Sequence, residues 1–394
     1  MATFLLLLPL LASLAAAAGG QGHSPSPIKA AYYPSWASET FPPAAIDTTL
    51  FTHVYYAFLL PNNLTFLIQP SSDTSSLLRN FTATLRRASP PPKTLLSFGG
   101  GAVADPTLFP RMVSRQDYRQ AFIRSAIEVG RAHDFDGLDL DWEFPKTETE
   151  MKHLAQLLRE WRREIRIEAR ETGRAPLLLT AAVYFNPEFN WDPVYRKYPV
   201  RSVARHLDWA SPMCFDYRGA WDTSATGAHA LLYDPNSNIS TSYGLRSWIQ
   251  AGVPSHKLVM GLPLYGRTWQ LKDPNVTWIG APAVATGPGD LGVLNFKELE
   301  DFNAKNGATV VYDHTTVSTY SYVGSSWIGY DDAKSISTKI GFAKDHGLRG
   351  YFFWALSFDS EWKISKQGEF GFHLINLPKT RKVTISFVFF YFLL

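Results

Sequence analysis

The chain has 394 residues, enough for one large barrel or two ordinary domains, and its 45% hydrophobic and 19% charged content is that of a globular protein. A net charge of +3, with no block of basic residues interleaved with aromatics, excludes nucleic acid as an expected partner. Aromatics reach 14%, including 12 Trp and 18 Tyr, and packing alone can use that excess.

In chain order, residues 1–18 read as a secretory signal. "FLLLLPLLASLAAAA" is an apolar run, and Ala16-Ala17-Ala18 offers a small-residue cleavage site, although no Lys or Arg precedes it. The run is short and proline-interrupted for a membrane span. Export, to the outside or to the vacuole, is therefore expected. The glycosylation sequons at Asn63, Asn80, Asn238 and Asn275 agree with it. Cys214 is the only cysteine, so no intrachain disulfide can form and a large core must hold the fold.

Short β-rich runs then alternate with amphipathic stretches, which predicts βα units and a parallel sheet. The strands are "IKAAYYP", "FTHVYYAFLL", "KTLLSFGG", "DGLDLDWEF", "LLLTAAVYF", "LDWASPMCFDY", "KLVMGLPLYG" and "LRGYFFWALSF". Between them, a helix is predicted to open at Ser114 with a Ser-x-x-Asp cap. A second puts Met151, Leu154, Leu158, Trp161 and Ile165 on one face. A third closes at Gly347. Eight such units predict an α/β fold, a (β/α)8 TIM barrel over 26–266 and 330–375. The interval before the eighth strand is too long for a loop. With turns and β-like runs such as "ATVVYD", it predicts a small α+β insertion subdomain over 267–329. Residues 376–394 form a basic and apolar tail whose last run, "VTISFVFFYFLL", is too short to span a bilayer. No stable membrane span is expected, and a monomer is.

The fourth strand run, "FDGLDLDWEFP", places four acids among apolar residues. Alternate strand residues point to opposite faces. Leu138, Leu140 and Trp142 therefore face the helices, while Asp139, Asp141 and Glu143 face the barrel interior. Asp136 has the other parity and suits a structural hydrogen bond. Glu143 is outermost, at the C-terminal end of the strand, where barrel enzymes place their chemistry. Stacked carboxylates cannot all ionise cheaply, so the inner aspartates are expected to raise the pKa of Glu143 and make it a general acid. A salt-bridge network or a hard-cation site would be the competing uses. The cation wants more oxygen ligands and usually a loop, and no metal or cofactor is expected.

"DGLDLDWE" resembles the Asp-Gly-x-Asp-x-Asp-x-Glu signature of glycoside hydrolase family 18, the chitinases. "LLSFGGG", with Ser97, Gly99 and Gly100, is similar to that family's Ser-x-Gly-Gly motif, and "PMCFDY" to its Met-x-Tyr-Asp motif. "LPLYGRTW", "YFFWALSFD" and the late insertion fit as well, so the resemblance runs from about Ile28 to Gly371 and is nearest to plant class V chitinases. It implies a partner, chitin or N-acetylglucosamine oligosaccharides, and a substrate-assisted retaining mechanism, the exception to the two-carboxylate scheme. Glu143 would protonate the leaving oxygen and then activate water. Asp141 would orient the sugar's acetamido N–H, Asp139 would hold the shared proton, and Asp216 would contact the distorted sugar.

Aromatic faces suit sugar rings. By resemblance, Trp354 would lie beneath the reacting sugar, with Tyr32, Phe58 and Met213 beside it, though ordinary barrel filling competes for each. Arg267 would bind sugar hydroxyls or pair with a carboxylate. The departure is Phe215, where the family carries a tyrosine whose hydroxyl holds the acetamido oxygen. Tyr217 has the same parity and is a candidate substitute. The intact acidic row favours a hydrolase. Phe215 favours a lectin-like binder on the same fold with reduced turnover, or a narrower substrate range such as modified chitin oligomers. The apolar tail, read as a cut anchor, would make the chain a receptor ectodomain.

Overall fold

The computed structural model describes residues 26–191 and 194–368. The expected leader and the tail over 376–394 lie outside the described residues. All eight predicted strands form: β1 (Ile28–Pro34), β2 (His53–Leu59), β3 (Lys93–Gly99), β4 (Gly137–Asp141), β5 (Leu178–Tyr184), β6 (Trp209–Met213), β7 (Val259–Pro263) and β8 (Gly350–Trp354). They pair in parallel in the order β6-β5-β4-β3-β2-β1-β8-β7. A parallel bridge between Ala210 and Leu258 brings the two ends together, so the sheet is a nearly closed barrel.

Strand parity sorts two cores. Ala31, Tyr33, Leu138 and Leu140 pack outward against helices. Ile28, Ala30, Tyr32, Leu95, Trp209 and Phe352 fill the barrel, with Phe58, Met213, Phe215 and Trp354 packed against that inner cluster. The helix Glu148–Thr172 buries the five residues of its predicted face and is capped by Thr147, whose side chain accepts the Glu150 N–H. Gly347 takes the left-handed conformation just past the helix Ala333–Asp345, as a terminating glycine should.

The Ser114 cap does not form. Ser114 ends a short helix, Leu108–Ser114, and its hydroxyl donates to the Arg111 carbonyl at 2.7 Å. The next helix, Gln116–Ala132, starts after Arg115, which pairs with Asp117 instead. A side-chain bond backwards to the preceding turn competes with a forward cap, and here it wins.

After β7 the chain leaves the barrel. Tyr265–Leu271 is the hub of an antiparallel sheet, hydrogen-bonded to Ala283–Thr286, Val293–Asn295 and Ser326–Tyr330. Ser318–Val323 and Thr309–Asp313 extend it. The helix Phe296–Asn306 begins with a reciprocal Asn295–Glu298 cap. Because the sheet starts directly after β7, it places Tyr265 and Arg267 beside the C-terminal mouth of the barrel. Among the described residues, no helix is long and apolar enough to cross a membrane.

Candidate active site

At that mouth lies a cleft of about 860 Å³, lined by Asp141 and Glu143, with Asp139 buried beneath it. Hydrogen-bonded strand pairing stops at Asp141, two residues short of Glu143, so Glu143 leaves the sheet and turns into the cleft. Asp136 does the expected structural work, accepting the Thr94 N–H at 2.8 Å.

Asp139 is fully buried and built as an acceptor. Tyr32 and Ser97 donate to Oδ2 at 2.9 and 2.7 Å, and Thr180 donates to Oδ1 at 2.5 Å. Burial pushes its carboxyl up, and the three hydroxyls work against that by favouring the ionised form. Asp141 has no such donors. Its Oδ1 is buried without a hydrogen-bond partner. Burial, then the charges of Glu143 and Asp139, push Asp141 well above the usual carboxylate range. Within the inner pair, Asp141 is therefore pushed toward its neutral form more strongly than Asp139.

Glu143 is open to the cleft. Water touches it, but the protein around it leaves little bulk water to solvate a charge. That desolvation, followed by the Asp216 carboxylate, pushes it up to about 7, against a Gly101 N–H that favours the ionised form. Glu143 and Asp141 repel each other when both are ionised, and burial together with that repulsion disfavours charging the two at once.

The glycines of "LLSFGGG" make the row possible. A Cβ on Gly99, whose φ is +122°, would lie 1.9 Å from the Asp141 carbonyl oxygen. One on Gly100, at φ +94°, would lie 2.5 Å from the Phe58 ring.

Asp216 sits in the left-handed region, at φ 60°, a conformation that aspartate tolerates better than most residues. Arg267 reaches its Oδ1 with Nε at 2.8 Å and Nη2 at 2.7 Å. Burial pushes Asp216 up, but His229, Arg267 and Tyr265 outweigh it and hold the carboxyl below its usual value. Arg267 is thus committed to the carboxylate, the second of its two expected roles. The His229 ring is almost completely buried. Its Nε2 lies 3.1 Å from the Tyr265 carbonyl, which can only accept, so Nε2 carries a hydrogen. Nδ1 then faces Asp216 at 3.6 Å and has a proton to offer only in the imidazolium form.

The aromatic residues divide. Trp354 and Phe58 stack at 5.6 Å and 19° and line the cleft together with Met213. Tyr32 is 1% exposed, orients the row through its hydroxyl on Asp139, and borders the cleft floor beside Trp354. Tyr217 lines the cleft, and its hydroxyl lies 3.0 Å from that of Thr241. Phe215 lines the cleft edge-on to Tyr265 and Phe352, at 6.2 and 6.1 Å.

Sequence reasoning missed Trp36, Trp221, Tyr184, Tyr265 and His229. Trp36 and Trp221 are each 62% exposed and also line the cleft. Trp36 packs on Phe58 and Trp354, while the Arg267 guanidinium lies 5.1 Å over Trp221. Trp36 could have been found from its place just past the C-terminal end of β1, where barrel loops carry function. Trp221 and His229 lie in a segment without a periodic signal.

A sequence profile described as glycosyl hydrolases family 18 matches residues 29–359. A class V chitinase of Medicago truncatula is 49% identical over 342 residues, which is 86% of this chain and 88% of that protein. Nod factor hydrolase protein 1 of the same organism is 49% identical over 330 residues, 82% of this chain and 85% of its own. Among solved structures, a mutant class V chitinase from Nicotiana tobaccum in complex with NAG4 superposes with a TM-score of 0.84 at 39% identity, covering 89% of this chain and 99% of that one.

Proposed function

Because the chain belongs to glycosyl hydrolase family 18, we propose that Glu143, Asp141, Asp139 and Asp216 carry out chitinase chemistry in the cleft, the hydrolysis of β-1,4-linked N-acetylglucosamine chains. The observation that carries this is the Glu143 carboxyl, pushed up to about 7 at the centre of an aromatic cleft, above a buried Asp141 with an unpartnered oxygen.

Each group has a task that its surroundings suit. Glu143, protonated up to neutral pH, donates to the leaving glycosidic oxygen, and as a carboxylate it then takes a proton from water. The Asp141 Oδ1 is an acceptor awaiting a donor, and the acetamido N–H of the reacting sugar is one. That contact aims the acetamido oxygen at the anomeric carbon and favours the positive charge that develops on the ring it forms. Asp139 is held by three hydroxyls and keeps the row rigid. Asp216, ionised beside Arg267, raises Glu143 by its charge. Trp354 and Phe58 supply the stacking floor, and Trp36 and Trp221 extend it beyond the reacting sugar.

Export fits this role. All four sequon asparagines, Asn63, Asn80, Asn238 and Asn275, are exposed, as glycan acceptors must be. Endoglycosidase treatment of protein from a eukaryotic host should produce a mass shift. Unmodified protein found inside the cell would refute export.

Two inversions at the anomeric carbon cancel, so the first product is the β-anomer. Proton NMR of fresh hydrolysate checks this, and an α-anomer appearing first would refute substrate assistance. The acid form of Glu143 is needed, so kcat/KM should fall as pH rises through about 7.

Phe215→Tyr restores a hydroxyl at the cleft wall. The roughly 2.7–4 kcal/mol attached to a well-aimed oxyanion donor is an upper bound, because the ring is held edge-on by Tyr265 and Phe352. We expect kcat on simple chitin oligomers to rise about tenfold, or about 1.4 kcal/mol, with a smaller change in KM. An unchanged kcat with a lowered Tm would mean that Phe215 is packing alone.

A further inference from the structure

The helix Glu148–Thr172 sorts its charges by face. Along one flank Glu160 is held by Arg119 at 2.8 and 2.9 Å, and Glu168 by Arg131 at 2.6 and 2.8 Å. Both are two-pronged pairs reaching across from the helix Gln116–Ala132. The opposite flank carries Arg159, Arg163, Arg166 and Arg170, three or four residues apart, and Arg174 continues the row just beyond the helix. Arg163 pairs with Glu164. Arg159, Arg166, Arg170 and Arg174 are exposed, and among the described residues no carboxylate pairs with any of them. Arg205, from the neighbouring helix Val200–His206, adds a fifth free guanidinium.

Together these residues line a groove of about 710 Å³, comparable in volume to the catalytic cleft. The Asp208 carboxylate near its rim is already taken by Arg162 at 2.6 Å. The field is felt locally. Burial, then Arg205, Arg162, Arg159 and Arg166, hold the His206 imidazole below its usual value. The helix runs from the end of β4 back to the start of β5, so its arginine-rich last turns lie at the face of the barrel opposite the cleft.

We infer that this groove is a second, non-catalytic binding site for an acidic polysaccharide chain bearing a carboxylate on successive sugars. Guanidinium forks match carboxylates in two-pronged geometry. Arginines on successive helical turns stand about 5.4 Å apart, of the order of one sugar unit. The groove is concave, which suits a chain rather than a flat bilayer, and none of the large exposed hydrophobic residues lines it. No aromatic ring lines it either, apart from the His206 imidazole, so it lacks the platforms on which nucleic acid bases stack. With a net charge of only +3, the attraction comes from this patch and not from the molecule as a whole. Docking through this face leaves the cleft open to its own substrate.

The test measures retention of the full chain on immobilised polygalacturonate at low ionic strength, with salt elution, alongside Arg166→Glu/Arg170→Glu. Lys272→Glu/Lys297→Glu on the exposed insertion surface is the control with the same change in net charge. The wild type and the control should bind alike. The groove variant should lose about tenfold or more in affinity, with chitin-oligomer turnover and Tm unchanged. No retention of the wild type, equal loss in both variants, or equally tight binding of duplex DNA or anionic phosphatidylserine vesicles overturns the inference.

Discussion

Glu143→Gln is expected to remove hydrolysis of chitin oligomers while leaving their binding nearly intact. The side chain turns off the end of β4 into the cleft, and its carboxyl is raised to about 7 by burial and by Asp216, so near neutral pH it still holds the proton the leaving oxygen needs. The amide keeps the shape and cannot transfer a proton. Loss of general acid–base catalysis alone is worth on the order of 10²–10⁴ in rate. Single-turnover kinetics and calorimetric titration with a chitin tetramer separate the two quantities. Wild-type turnover in the variant would show that Glu143 is not the acid.

The same substitution has a stability signature of known sign. The folded-state value of Glu143 lies above that of a free carboxyl. Its contribution to stability is therefore complete below the ordinary carboxylate range and is lost as pH rises through about 7. Glutamine does not titrate. The variant should match the wild type near pH 4 and melt higher than it above pH 7. Parallel Tm curves across that range would mean that the carboxyl is not raised.

Asp141→Asn is expected to cost on the order of 10²–10³ in kcat, the scale set by removing one preorganised group aimed at developing charge. Asp141 is buried, has an oxygen without a partner, and is followed by Glu143 in the row. An amide there can still touch the acetamido group, but it can never become the carboxylate that the positively charged intermediate favours. KM should move much less, because the contact strengthens as the charge forms. A substrate lacking the acetyl group at the cleaved sugar supplies the discriminating readout. Wild type and variant should be equally inert toward it. A variant that loses activity on both substrates in the same proportion would place Asp141 outside the acetamido contact.

Features that depend on local periodicity were legible in the sequence. Eight apolar runs between amphipathic stretches are enough to specify a parallel barrel, since a period of two or of 3.6 fixes which side of an element is buried. The same parity separated Asp139, Asp141 and Glu143 from Leu138, Leu140 and Trp142. The glycines after Ser97 were visible as a motif, although the collision each avoids, with Asp141 or Phe58, was not. Features that depend on partners distant in the chain emerged with the fold. Tyr32 spends its hydroxyl on Asp139, 107 residues away, Tyr217 on Thr241, and Arg267 on Asp216, 51 residues away. Three hydroxyls from β1, β3 and β5 converge on Asp139 and favour its ionised form, whereas Asp141 has no such donors. Glu143 is raised by burial and by a charge from beyond β6. The arginine row of Glu148–Thr172 could be read in sequence, but its lack of neutralising partners could not. That depends on Arg119 and Arg131 drawing Glu160 and Glu168 to the other flank, and hydrogen bonds and charges act across space without regard to separation along the chain.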